Sequence, residues 1–191
     1  MSRPGEQFSP AAIVEALNRH HVRYVIIGAF AAIAQQAPLP ATRDIDITPE
    51  ASAENLTRLS QALTDLHAQI RTETEPEGLP FSHDATSLAA ADVWNLTCPD
   101  GEFDIAFRPS GFTGGYAQLA AGAHRLRVAD VEVVVADLAD VIRSKEAAGR
   151  PKDLQALPLL YRHLTTRTAE RQTEHEGASN STAPSENRSL R

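Results

Sequence analysis

Positive charge is the scarcer sign in this 191-residue chain: 18 lysines and arginines stand against 25 aspartates and glutamates, for a net charge of -7. That balance opposes broad, sequence-independent binding to nucleic acid, which depends on neutralising phosphates. Cysteine is nearly missing. With Cys98 alone, neither a disulfide framework nor a cysteine-rich metal site can be built. Aromatic residues reach only 5%, so Ala, Leu, Val and Ile must fill the interior. No apolar run is long enough to span a bilayer. The opening MSRPGEQFSP lacks the apolar middle of a signal peptide, and a cytoplasmic location is expected. A phosphate-binding P-loop is also missing, since no glycine-rich turn is followed by GKS or GKT. GFTGG does not sit between a strand and a helix as a dinucleotide fingerprint requires.

What is present suits one α/β domain. Hydrophobic residues make up 42% of the chain, enough for a core, and the length fits one domain with a tail. Pro10 opens a helix whose apolar face is Ile13, Val14 and Leu17. VRYVIIG reads as a strand ending at Gly28, and AFAAIAQQA as a short alanine-rich helix closed by PLP. Leu56, Leu59, Leu63, Leu66 and Ile70 recur at three- and four-residue steps, predicting a helix over that span. RTETEPEGLP reads as a loop bordering the active site. VWNLTC and EFDIAF form a hairpin around PDG, and HRLRV and VEVVV pair around Ala129 and Asp130. Gly149 caps one helix and Pro151 opens the last, which Pro158 kinks or ends. Residues 1–21 form an N-terminal helical segment, 22–164 the main domain, and 165–191 a polar tail expected to be disordered. The fold class is a mixed β-sheet flanked by helices, with a short C-terminal helical segment.

The chemistry concentrates in ATRDIDITP. Side chains alternate along a strand, so Asp44 and Asp46 share one face while Ile45 and Ile47 share the other. A face carrying two carboxylates needs water, a cation or hydrogen-bond donors. Alone, the pattern equally suits the solvent face of an edge strand. Asp104 changes the balance, because it too lies on the polar side of an alternating strand. If that strand lies beside the first, three carboxylates converge, and such a set can hold two divalent cations about 3.5–4 Å apart for phosphoryl transfer. Gly28 permits a tight turn and close approach of a ligand. Lys145, Arg150 and Lys152 suit phosphate contact, or equally a charged helix end favoured by the local dipole. His20, His21, His83, His124, Trp94 and Cys98 read as surface or packing residues, and Tyr116 as a candidate for stacking on a base.

Taken together, YVIIGAFAAIAQQ, ATRDIDITP and SKEAAGRPKD resemble the polymerase-beta-like nucleotidyltransferase superfamily. The branch most similar is the minimal prokaryotic one of AbiEii-type toxins from type IV toxin–antitoxin systems. The resemblance runs from Val22 to Leu160. It implies a nucleotidyltransferase-like fold and metal-dependent transfer of a nucleoside monophosphate from an NTP to an RNA, protein or small-molecule hydroxyl. It assigns Asp44, Asp46 and Asp104 to Mg2+ or Mn2+. Asp104 is also expected to help deprotonate the acceptor. Gly28 and Ala29 are expected at the phosphates, with Lys145, Arg150 and Lys152, while Asp153 organises the site and Arg43 contacts phosphate or acceptor. Two positions depart from the family pattern: Ala29 stands where glycine or serine is usual, and Ala156 where an acidic residue is frequent. An antitoxin partner is expected, and no membrane. The other readings are a noncatalytic protein-interaction module on this fold and a two-metal nuclease.

Overall fold

In the computed structural model of the protein, residues 8–180 are described. Seven strands form one sheet: β1 (Tyr24–Ile27), β2 (Asp44–Pro49), β3 (Gln69–Ile70), β4 (Val93–Cys98), β5 (Gly101–Ala106), β6 (His124–Val128) and β7 (Val131–Val135). Their order across the sheet is β3-β4-β5-β2-β1-β7-β6. The sheet is mixed: β2 runs parallel to β5 and β1 parallel to β7, while the other neighbours are antiparallel. The helices are α1 (Pro10–Arg19), α2 (Gly28–Ala34), α3 (Ala53–Asp65), α4 (Ala85–Leu88), α5 (Tyr116–Ala120), α6 (Leu138–Ala148) and α7 (Pro151–Asn180).

The core follows the alternation in the sequence. Ile45, Ile47, Phe103 and Ile105 are fully buried with Leu56, Leu59 and Leu63 of α3, and with Ile13, Val14 and Leu17 of α1. Short polar devices set the helix ends. Ser52 caps α3 by accepting from the Asn55 amide, and Asp137 caps α6 by accepting from the Ala139 amide. Each such cap contributes about 1 kcal/mol. Gly149 closes α6 in the left-handed conformation, as expected.

Two sequence expectations differ from the structure. The helix expected to reach Ile70 stops at Asp65, and Ile70 lies in β3. His67 takes a left-handed backbone (φ 52°) that no helix can pass through, and the chain then turns into the sheet. The tail expected to be disordered from Thr165 is helical up to Asn180. The ring Nε2 of His163 lies 2.9 Å from the Gln35 carbonyl, and Arg167 donates to Gln35 Oε1 at 3.2 Å, so packing against α2 holds the helix past the expected boundary. Pro158 lies inside α7 rather than ending it. The rest of the expected tail, and the first seven positions of the expected N-terminal segment, lie outside the described residues. Among the described residues no helix is long and apolar enough to cross a membrane.

Candidate active site

Strand register assembles the acidic face. Asp46 stands opposite Asp104 in the parallel β2–β5 ladder, and Asp44 stands opposite Glu102. Alternation puts all four carboxylates on one side of these two strands, away from the buried isoleucines and Phe103. Thr42 Oγ1 donates to Asp44 Oδ1 at 2.5 Å, which orients that carboxylate at the strand entrance.

β1 brings Gly28 to the same place. Ile27 pairs with Asp46, so the next residue turns immediately beside the aspartate. Gly28 has φ +78°, and a Cβ there would sit 1.9 Å from Asp46 Oδ2. Glycine is required twice over, by the backbone angle and by the carboxylate that fills the missing side chain's place. Ala29 follows in the first turn of α2.

The charges are unevenly balanced. Burial raises the Asp46 pKa to about 6, and the neighbouring Asp44 and Asp104 push in the same direction. Lys145 and Arg150 oppose them, which places both cations within electrostatic reach of Asp46. Asp104 is also held above the usual carboxylate range, by burial first; the Arg71 guanidinium works against that and Asp44 adds to it. Desolvation and like charge both disfavour ionisation.

Across from the acids lies a buried ionic knot. Asp153 is 0% exposed, with Lys145 Nζ donating to Oδ1 at 2.8 Å and Arg150 Nε donating to Oδ2 at 2.6 Å. Burial pushes the Asp153 carboxyl up, but these two hydrogen bonds outweigh it, and the pKa lies below the usual carboxylate value. The knot joins the last turn of α6 to the first turn of α7 across Gly149. Lys145 retains two further N–H donors.

Other expected residues lie further out. Arg43 is exposed and lines a cleft of about 740 Å3 with Gln69, Glu77, Thr97 and Glu102. Lys152 is exposed on the first turn of α7. The structure therefore brings together Gly28, Asp44, Asp46 and Asp104, with Lys145 and Arg150 nearby.

Sequence reasoning missed Arg71. Its amide donates to the Asn95 carbonyl at 2.8 Å, extending the β3–β4 ladder by one residue. Its guanidinium NH2 donates to Asp104 Oδ1 at 2.9 Å, and NH1 lies 3.5 Å from Glu102 Oε2. The available signal was the alternation Gln69, Ile70, Arg71, which the helical spacing from Leu66 to Ile70 masked.

The donor chemistry suits one hard cation. Magnesium is commonly held by one or two carboxylates together with substrate phosphates, and Asp44 and Asp46 offer such a pair in a site where negative charge is in excess. Among the described residues, however, no three His, Cys, Asp or Glu side chains are gathered closely enough to hold a metal ion. Arg71 occupies one oxygen of the third aspartate.

One known structure shares this architecture. ANT(2″)-Ia, solved in complex with adenylyl-2″-tobramycin, superposes with a TM-score of 0.52 at 16% identity, covering 83% of this chain and 89% of that one. The fold is nucleotidyltransferase-like. An antigenic nucleotidyltransferase-like protein from Paracoccidioides brasiliensis aligns with a TM-score of 0.48 at 16% identity, over 81% of this chain and 77% of its own. No protein-family model and no curated protein matches the chain.

Proposed function

We propose that this protein transfers a nucleoside monophosphate from a nucleoside triphosphate to a hydroxyl group, as a nucleotidyltransferase of the polymerase-beta-like superfamily. One observation carries the reading: Asp46 lies in register with Asp104 on adjacent parallel strands, with Gly28 turned against its carboxylate. Asp44 and Asp46 would hold Mg2+ or Mn2+, with Asp104 as the third ligand. A bound cation supplies neutralisation of phosphate charge and lowers the pKa of the attacking hydroxyl.

The chain's own groups do the rest. Gly28 lets the chain turn directly against the Asp46 carboxylate, and Ala29 follows it in the first turn of α2, on the side assigned to the phosphates. Lys145, oriented by Asp153, directs its remaining donors at phosphate oxygens, with Arg150 and Lys152 adding positive charge around them. Asp104, in register with Asp46, accepts the hydroxyl proton. The acceptor oxygen forms a bond to the α-phosphorus, and the bond from that phosphorus to the pyrophosphate oxygen breaks. Arg43, which lines the neighbouring cleft, would contact the acceptor or a phosphate.

The test is incubation with labelled nucleoside triphosphates and Mg2+, offering RNA, protein and hydroxyl-bearing small molecules as separate acceptors. Label should enter one class and fall by at least about a hundredfold in D44A/D46A. A folded wild-type protein that labels nothing from any of the four nucleotides overturns the reading. The small-molecule arm is the one that the complex of ANT(2″)-Ia with adenylyl-2″-tobramycin supports. A toxin role with an antitoxin partner, the AbiEii-like form of the same proposal, is read by growth arrest on induction that D44A/D46A relieves.

A further inference from the structure

Four strands contribute to one row of the acidic face. Arg71 extends β3, its amide bonds Asn95 of β4, Asn95 pairs with Asp104 of β5, and Asp104 pairs with Asp46 of β2. The neighbouring row runs through Gln69, Thr97, Glu102 and Asp44 in the same order. Strands lie about 4.8 Å apart, so a long side chain two strands away is needed to reach Asp104 over Asn95. Arg71 has that length. It cannot give up its proton, so its charge is fixed.

The contact it makes has an alternative built beside it. One nitrogen is bonded to Asp104 at 2.9 Å while another lies 3.5 Å from Glu102, whose side chain is 48% exposed. The Nε of Arg71 is buried with no hydrogen-bond partner. A buried unpaired donor is costly, and that cost falls if the guanidinium swings outward toward Glu102 and water. The two carboxylates therefore give the guanidinium two places to rest, one of which leaves Asp104 free.

We propose that Arg71 is a positioning residue that acts as a displaceable internal counter-ion of Asp104. In the free protein it holds Asp104 out of the cation site, and it moves to Glu102 when a divalent cation takes Asp104. This rests on the reading of Asp44, Asp46 and Asp104 as cation ligands. It adds that the third ligand is recruited only after Arg71 lets go.

The experiment is Mn2+ titration of the full chain, followed by electron paramagnetic resonance without nucleotide. Wild type should bind Mn2+ weakly, and Arg71→Gln should bind it about tenfold more tightly. Arg71→Lys, which keeps the charge, should bind it as wild type does. Adding Asp104→Asn to Arg71→Gln should erase the gain, because the ligand that Arg71 releases is then missing. A purely structural role for Arg71 would lower stability without raising Mn2+ affinity. Equal or weaker Mn2+ binding by a folded Arg71→Gln protein overturns the proposal, as does a gain that survives Asp104→Asn. Label transfer by wild type, measured on the same preparation, reports separately on the parent reading. Transfer that persists while the affinities stay equal removes Arg71's role alone.

Discussion

Asp153 and Asp46 flank the same site under opposite electrostatic terms. Asp153 is fully buried, yet each of its oxygens receives a hydrogen bond from a cation, and its carboxyl ionises more readily than usual. Asp46 has two carboxylates for neighbours, and its pKa is raised to about 6. Among the described residues no side chain donates to it. Lys145 and Arg150 act on both, but they touch only Asp153. The first arrangement is complete within the chain and locks α6 to α7. The second is left short of positive charge, and it is the one that faces Gly28. Closed ionic groups hold the frame, while unbalanced ones sit where an external cation or phosphate complex would restore neutrality.

The sharpest way to break this comparison is to remove the buried partner. Asp153→Ala strands Lys145, only 12% exposed, without its counter-charge. Losing one member of a buried pair typically destabilises by about 3–5 kcal/mol, and urea unfolding at neutral pH should show a loss of that order. Asp46→Asn should act in the opposite direction. A carboxyl raised from 3.8 to about 6 favours the folded state while neutral, so its contribution is present below the unfolded value and is lost as pH rises through 6. At pH 8 the substitution should stabilise by about 1–2 kcal/mol, less than the full shift implies because the carboxylate keeps some access to solvent, which screens its charge. The gain should vanish below about pH 4, as thermal melts across that range would reveal. The smallest effect is expected at Arg150, whose side chain is 62% exposed. Arg150→Gln should cost no more than about 1 kcal/mol by the same unfolding assay, because Lys145 still neutralises Asp153. A loss comparable to that of Asp153→Ala would mean that both cations are needed to close the knot.

Most of the sheet was readable from local pattern. Alternation separated Asp44 and Asp46 from Ile45 and Ile47, PDG marked the β4–β5 hairpin, and the glycines at 28 and 149 fell at the chain turns expected of them. The nearness of Asp104 to Asp46 was inferred only as a condition, since parallel register between strands some sixty residues apart leaves no local trace. Arg71 was hidden for a different reason. A two-residue strand is too short to display a period, and its isoleucine happened to continue the leucine spacing of α3. Burial and bonding of the Lys145–Asp153 pair could not be read either, because a lysine on one helix and an aspartate on the next look alike whether they point together or apart. Past Thr165, Arg167 bonds the Gln35 side chain, a contact across more than a hundred residues that no local pattern announces.

The space that a side chain at position 28 would fill is already taken by an oxygen of Asp46. This couples the histories of the two positions. Glycine can be replaced only after the aspartate has been lost or has swung away, so a descendant of this chain bearing a larger residue at 28 would carry the mark of an acidic site already abandoned. The order of those two changes cannot be reversed without passing through a chain whose strand and turn collide. A larger residue at 28 would thus mark a carboxylate lost or turned away, whereas glycine there answers equally to the backbone angle.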